Sequence, residues 1–244
     1  KQKLKDEKIL FDSKNFILKD TKIPLKEVSY LSLNLSDNSI DIKTKFNLGD
    51  ITPNDLIKRG EELERKYPDT SLLVLYDDGI QKLNKDGTRY SHSRYSIKIL
   101  KENELSNSVL SFYYLKGDYE TKIINAYSIS KDSKISYLDQ KDITYTPVGN
   151  KGLSFFSGRK DALILKATIP NVEVGSIIDY EWESVEKSPE DASQFYTNWY
   201  FGGDNPVYES IVKFIVPEDK EFFYVIKNFN NPSYKPQITM EDGY

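Results

Sequence analysis

Polar and apolar residues alternate with a period of two along most of the chain after residue 70. Tyr95, Ile97 and Ile99, for example, are separated by Ser96 and Lys98. Successive side chains of a β-strand point to opposite faces, so this alternation predicts strands with one apolar and one polar face. Strands are predicted on this basis at residues 72–76, 95–99, 109–115, 122–129, 135–138, 162–169, 176–183, 194–201 and 209–216. Many strands without helical segments between them predict a mainly β fold, either a large antiparallel sandwich or a large curved sheet.

Two short polar segments are predicted to be turns between these strands. They are Asp77-Asp78-Gly79, directly after the apolar run of residues 72–76, and Asp86-Gly87. Asp-Gly pairs favour turns because aspartate and glycine tolerate the positive φ angles that tight hairpins need. We therefore expect the first segment to end the strand that begins at residue 72.

One helix is predicted before this β region. Thr52 is suited to cap its N terminus, and Asp55 has the spacing of the acid in a capping box. Pro68 ends the helix, because the residue before a proline avoids the helical conformation. We therefore predict a helix or linker at residues 51–68, followed by a β domain at residues 69–244.

The first fifty residues show a second alternating pattern. Alternating leucines in residues 31–35 precede a polar turn at residues 36–39, which predicts a short hairpin. Two interpretations of residues 1–50 stay open: they are the tail of a preceding unit, or they belong to the same domain. Because the chain does not begin with methionine, we expect a mature product or a part of a longer protein.

Composition and charge narrow the classes of function. The chain has 34 basic and 38 acidic residues, a net charge of −4 and no dense run of lysine and arginine, so a nucleic-acid partner is not expected. It has no cysteine, which excludes disulfides, thiolate metal sites and cysteine nucleophiles from this chain. No apolar run approaches the ~18 residues of a membrane-spanning helix. We expect no metal and no cofactor.

Candidate catalytic residues are few. His92 is the only histidine and would share a strand face with Arg94, so we interpret it as a solvent-facing structural residue. Asp179, Glu181 and Glu183 would lie on one strand face, about 6.5–7 Å apart, a spacing that overlaps the carboxyl separations of glycoside hydrolases. The alternative, which we favour, is the wet face of a half-buried strand. We therefore predict no catalytic residue.

Aromatic residues suggest a different kind of site. Neighbouring rings on a strand point to opposite faces, so one ring of each adjacent pair is expected in the core and the other on the surface or under a neighbouring domain. Tyr196 and Trp199 are the candidate ligand-binding residues, on which a sugar or a peptide could stack. The alternative is that these rings serve packing.

One segment resembles a known family. Residues 169–183, Ile-Pro-Asn-Val-Glu-Val-Gly-Ser-Ile-Ile-Asp-Tyr-Glu-Trp-Glu, resemble the Pro-x-x-x-x-Gly-Ser-x-Ile-Glu-Tyr segment of the domain of unknown function DUF3857. Asp179 stands where glutamate is expected, which is a conservative exchange. Tyr-Pro-Asp at residues 67–69 and Asn-Pro-Val at residues 205–207 agree with the family in order. The resemblance extends roughly over residues 68–230.

The resemblance implies a large antiparallel β fold, similar to the saddle-shaped N-terminal domain of the M1 aminopeptidases. It also implies an exported bacterial protein, periplasmic, secreted or in the cell envelope. In such proteins the domain typically precedes a transglutaminase-like (papain-type) domain, which carries a Cys–His–Asp set that has no counterpart here. We therefore expect a non-catalytic accessory domain. The alternatives are a carbohydrate- or peptide-binding module and, ranked last, a glycoside hydrolase using Glu181 and Glu183.

Overall fold

The computed structural model describes most of the chain from residue 48 onward and three strands before it. Backbone and side chains are described for residues 48–148, 162–189, 195–227, 236–240 and 243–244. The three earlier strands, β1 (Ile9–Phe11), β2 (Asn15–Leu18) and β3 (Thr21–Pro24), form an antiparallel sheet of their own. The hairpin predicted around residues 36–39 lies outside the described residues.

The predicted helix is present as α1 (Pro53–Lys66). Its capping box is complete: the Asp55 N–H donates to the Thr52 hydroxyl at 3.2 Å, and the Thr52 N–H donates to the Asp55 carboxylate at 3.1 Å. These bonds satisfy donors that the first helical turn leaves without partners. Leu56 and Leu63 are buried on one face of α1, so the helix packs on the sheet along an apolar stripe.

The remaining strands form one sheet of nine. They are β4 (Leu72–Leu83), β5 (Arg89–Ile99), β6 (Val109–Leu115), β7 (Tyr119–Ile129), β8 (Ile135–Tyr137), β9 (Thr144–Pro147), β10 (Ala162–Thr168), β11 (Ile177–Glu186) and β12 (Ser210–Ile215). Their order is β12-β4-β5-β11-β7-β6-β10-β9, with β8 beside β7. Short 3-10 helices occur at Glu102–Ser108 and Gln140–Asp142. The prediction of a mainly β fold with one α-helix is confirmed.

Three local predictions differ from the structure. The edge strand β12 pairs with β4 in parallel, whereas antiparallel pairing was expected throughout. Residues 195–200 form no strand, so the strand predicted at residues 194–201 is wrong there. The turn predicted at residues 77–79 is also wrong, because β4 continues through it to Leu83. The second predicted turn is present, with Gly87 at a φ of 85°.

The two faces at the centre of the sheet are covered by different elements. β6 and β7 pair at Leu115 and Tyr119, beside their turn, and then take different neighbours, β10 and β11. Leu110 and Leu165, from β6 and β10, pack with buried residues of β5 and β11 in one cluster. α1 packs on the opposite face in a second cluster. β11 therefore lies between two covered faces.

Candidate functional site

Residues 195–201 form an irregular segment, here called the aromatic strap, that runs beside β4 and β12. Phe195 is buried against Leu83. Trp199 is partly buried and lies on Gly79, where a Cβ atom would collide with the indole ring. Because Gly79 has no side chain, the indole ring of Trp199 can lie directly on the backbone of β4. This close approach explains why a glycine occurs inside the strand.

A chain of hydrogen bonds fixes the strap to the sheet. The indole N–H of Trp199 donates to the Ser210 hydroxyl at 3.0 Å, and this hydroxyl donates to the Asp77 carboxylate at 2.8 Å. Trp199 is thereby tied to β12 and β4 together. Side-chain bonds, rather than a strand ladder, hold this part of the chain.

Asp77 is a site residue that the sequence pattern did not reveal. It lies opposite Tyr95 in the register of β4 and β5. Burial raises the pKa of its carboxyl to about 6, the hydrogen bond from Ser210 opposes this effect, and the neighbouring charge of Asp78 adds to it. The one available signal was an acid directly after the apolar run of residues 72–76, which was interpreted as a turn.

The two predicted ligand-binding residues differ in exposure. Tyr196 is 68% exposed, whereas Trp199 serves as the anchor described above. Tyr200, which follows Trp199 directly, is 76% exposed, and its hydroxyl accepts a hydrogen bond from the Asn198 side chain at 2.9 Å. Ligand binding by Tyr196 and Trp199 stays a prediction, but the strap presents Tyr196 and Tyr200 to solvent.

The carboxylate of Asp179 is buried, contrary to the wet face expected for this strand. The Arg94 guanidinium donates to it from Nε at 3.1 Å and from Nη2 at 3.0 Å. The Ser96 hydroxyl also donates to it. Arg94 in turn donates to the Ile51 carbonyl at 3.1 Å. A buried carboxylate is tolerated here because the Arg94 cation and the hydroxyls of Ser96 and Tyr127 are its hydrogen-bond partners.

The other two acids also face partners on β5. Glu181 Oε1 lies 2.6 Å from His92 Nε2, and their side chains are 24% and 19% exposed. This hydrogen bond holds the pKa of Glu181 below its ordinary value. The Tyr90 hydroxyl donates to Glu183 at 3.3 Å. His92 is therefore partly buried rather than solvent-facing, and the two glutamates are paired with different residues of β5.

A second buried acid fastens the residues that precede α1. Asp78 accepts hydrogen bonds from the Gly49 N–H at 2.6 Å and from the Tyr76 hydroxyl at 2.8 Å. Burial, followed by this bond to Asp78, raises the pKa of Tyr76. Together with the bond from Arg94 to the Ile51 carbonyl, these contacts tie residues 49–51 to β4 and β5.

Neither a metal-binding cluster nor a membrane-spanning helix occurs among the described residues. In the ranges with described side chains, no three His, Asp or Glu residues are grouped so that they could hold a metal ion. Within the same ranges, no helix has the length and apolar character required to cross a bilayer.

Three solved structures show distant similarity to this chain. A candidate protease from Parabacteroides distasonis ATCC 8503 is 16% identical with a TM-score of 0.48; the match covers 61% of this chain and 29% of that protein. The CBM3a-L domain of the scaffoldin CipA from the Clostridium thermocellum cellulosome is 12% identical with a TM-score of 0.30, covering 62% of this chain and 83% of that one. Legionella pneumophila aminopeptidase A is 15% identical with a TM-score of 0.23, covering 49% and 11%.

These values are too low to assign an activity, and this chain spans less than a third of the Parabacteroides protein. No curated protein matches the chain at a significant level. The model of a family described as a domain of unknown function with a solved structure (DUF3857) matches residues 85–244. Because this match covers well over half of the sequence, the chain belongs to the DUF3857 family.

Proposed function

We propose that this chain is a non-catalytic accessory domain of an exported bacterial protein, in which it precedes and supports a transglutaminase-like domain of the same polypeptide. The observation that carries the proposal is the pairing of the only imidazole, that of His92, with Glu181 across two strands, in a chain without cysteine. Papain-type chemistry needs a cysteine thiolate beside an imidazole that a third residue orients. His92 has an orienting acid in Glu181, but this chain supplies no thiol for the imidazole to activate.

The acids of β11 also favour a structural role. Glycoside hydrolysis requires two carboxyl groups that face each other across the scissile bond, one of them with a raised pKa. Glu181 instead has a lowered pKa because of His92, and Glu183 is bonded to Tyr90. Both glutamates form hydrogen bonds across to the neighbouring strand β5, which suits a role in joining β5 to β11.

The accessory role is tested with the purified chain and chromogenic peptide, amide and glycoside substrates. We expect no turnover above that of the buffer. Turnover that disappears in His92→Gln or Glu181→Gln, but persists in the matched control Glu186→Gln on the same strand, would overturn the proposal. Thermal melts of all three variants serve to exclude unfolding as the cause.

The proposed partner and location are tested on the parent protein. The proposal requires a transglutaminase-like domain in the same polypeptide and recovery of that polypeptide in the periplasmic, envelope or secreted fraction. A parent protein recovered from the cytosol, or one without such a domain, would contradict it.

A second candidate function is a carbohydrate- or peptide-binding module. The exposure of Tyr196 on a segment that Trp199 anchors to the sheet favours it. Aromatic rings with one open face and a polar edge are common contact residues in recognition sites. The accessory and binding functions are compatible with each other.

A further inference from the structure

Four of the five rings in the aromatic strap fall into two sets, and the fifth, that of Phe201, is 42% exposed. Phe195 and Trp199 point into the molecule, against Leu83 and Gly79, and act as anchors. The residue that follows each anchor, Tyr196 or Tyr200, is more than two-thirds exposed. Single exposed rings are common on protein surfaces, but here two rings lie within five residues on a segment that has an anchor beside each ring.

One of the exposed rings, that of Tyr200, is held by more than the backbone. The Asn198 amide binds the hydroxyl of Tyr200 at 2.9 Å, and the indole of Trp199, between them in sequence, is fixed through Ser210. A ring whose orientation is set before binding loses less conformational entropy when a ligand arrives. Keeping apolar ring surface in water also costs free energy that a ligand would recover. The strap therefore has the properties of a preorganised recognition surface.

The charges near the strap in sequence disfavour an anionic ligand. No lysine or arginine occurs in the sequence between Lys187 and Lys213, so the segment offers no cation to a phosphate, a sulfate or an anionic lipid. Two acids lie nearby in sequence: Asp204, which is exposed, can accept hydrogen bonds from hydroxyl groups, and Glu209 is paired with Arg59 at 2.8 Å. The polar groups beside the rings, such as Asn198, are neutral donors and acceptors. This combination is complementary to a neutral ligand rich in hydroxyl groups.

We propose that the aromatic strap binds neutral carbohydrate, with Tyr196 and Tyr200 stacking on sugar rings. The C–H face of a sugar packs on an aromatic ring, and its hydroxyl groups bond to nearby amides and hydroxyls. A peptide that docks as an added strand would use the edge strand β12 rather than the strap, because residues 195–200 form no strand. The proposal gives the second candidate function its ligand class and rests on that function.

The test is affinity electrophoresis of the full chain through native gels that contain xylan, barley β-glucan, glucomannan or starch. We expect at least one of these polysaccharides to retard the wild-type chain. Tyr196→Ala and Tyr200→Ala should each weaken retardation by about threefold to tenfold, and the double variant should abolish it. The matched control is Tyr137→Ala, which removes a 62% exposed tyrosine from β8, away from the strap in sequence, and should leave retardation unchanged.

Three outcomes would overturn the assignment. One is a wild-type chain that runs unretarded in all four gels. The second is retardation that survives in the double variant while its near-ultraviolet circular dichroism shows an intact fold. The third is strap-dependent binding of an uncharged tyrosine-rich peptide in place of the polysaccharides. Turnover of a peptide or amide substrate would instead contradict the accessory role and leave the carbohydrate assignment standing.

Discussion

The two faces of β11 are both covered, but by opposite kinds of chemistry. On the side of α1, Asp179 and Glu181 bind the charged or polar side chains of β5. On the other side, the rings of Tyr180 and Trp182 are stacked with centroids 5.2 Å apart, and Phe112 of β6 lies 5.3 Å from Trp182. The charged face is stabilised by a few specific hydrogen bonds and ion pairs, whereas the aromatic face is stabilised by many weak contacts spread over the ring surfaces. Removing one partner of a buried ion pair on the charged face should therefore lower the free energy of unfolding more than removing one ring from the aromatic face.

The largest effect is expected from Asp179→Ala, because it leaves Arg94 partly buried without its counter-ion. Breaking such a pair costs about 3–5 kcal/mol of the free energy of unfolding, measured by urea denaturation. The control is Glu186→Ala, which removes the partner of Arg89 where both side chains are a quarter or more exposed, and should cost under about 1 kcal/mol. Combining Asp179→Leu with Arg94→Met should recover most of the loss in stability. Equal losses in Asp179→Ala and Glu186→Ala would refute the comparison.

Trp182→Ala tests the aromatic face. The ring is partly exposed and is shared between Tyr180 and Phe112, so we expect a loss of about 2–3 kcal/mol, below the range for a fully buried tryptophan. Urea denaturation gives the value, with Tyr137→Ala as a control that should cost under about 1 kcal/mol. A loss greater than that of Asp179→Ala would reverse the ranking of the two faces.

Asp77 sharpens the comparison, since this acid lies opposite Tyr95, on the aromatic side of the sheet. Its pKa in the folded protein is raised to about 6 from an ordinary 3.8, so the folded state holds a proton that the unfolded state has released. Its contribution to the free energy of unfolding therefore falls as the pH rises from about 4 to about 6. Asp77→Asn should remove this fall and gain about 1 kcal/mol at pH 7, which urea denaturation at pH 4.5 and pH 7 would show.

Ser210→Ala provides the companion measurement for Asp77. The Ser210 hydroxyl lowers the pKa of Asp77, so its removal should raise that pKa further and extend the fall in stability to higher pH. The fluorescence of Trp199 should change in the same variant, because its indole loses an acceptor. A pH profile identical to that of the wild type would mean that Asp77 is not the titrating group.

The smallest effect is expected from Glu181→Gln. The contact between Glu181 and His92 is partly exposed to solvent, and such contacts contribute under about 1 kcal/mol. The pKa of Glu181 is lowered, so its stabilising contribution is present above its ordinary value of 4.5 and is lost as the pH falls through the lowered one. The difference between variant and wild type should therefore be measurable at pH 7 and vanish near pH 3.

Local structure was predicted correctly from the sequence where the interacting residues are close together in the chain. The capping box of α1 joins Thr52 to Asp55, three residues away, and every part of it was visible in the sequence. The alternation of β11 likewise placed Asp179 and Glu181 on one face correctly. What it could not show was that this face is covered, because Arg94 comes from 85 residues away.

The errors around β4 have the same origin. Asp77 and Gly79 have the composition of a turn, yet both are required inside the strand by a distant segment, the first by Ser210 and the second by Trp199. The strap has the composition of a strand, yet its two anchoring rings fix it instead. In both places tertiary contacts outweighed local propensity.

The bonds that tie Gly49 and Ile51 to the sheet have a practical consequence for recombinant fragments. A fragment starting at residue 85, where the family match begins, would lose β4, the strand between β5 and β12. The flank of β5 would then present unpaired amides and carbonyls, the usual template for edge-to-edge aggregation. We expect such a fragment to be recovered in inclusion bodies. A fragment starting at residue 48 keeps β4 and the bonds of Gly49 and Ile51 to the sheet, so we expect it to stay soluble.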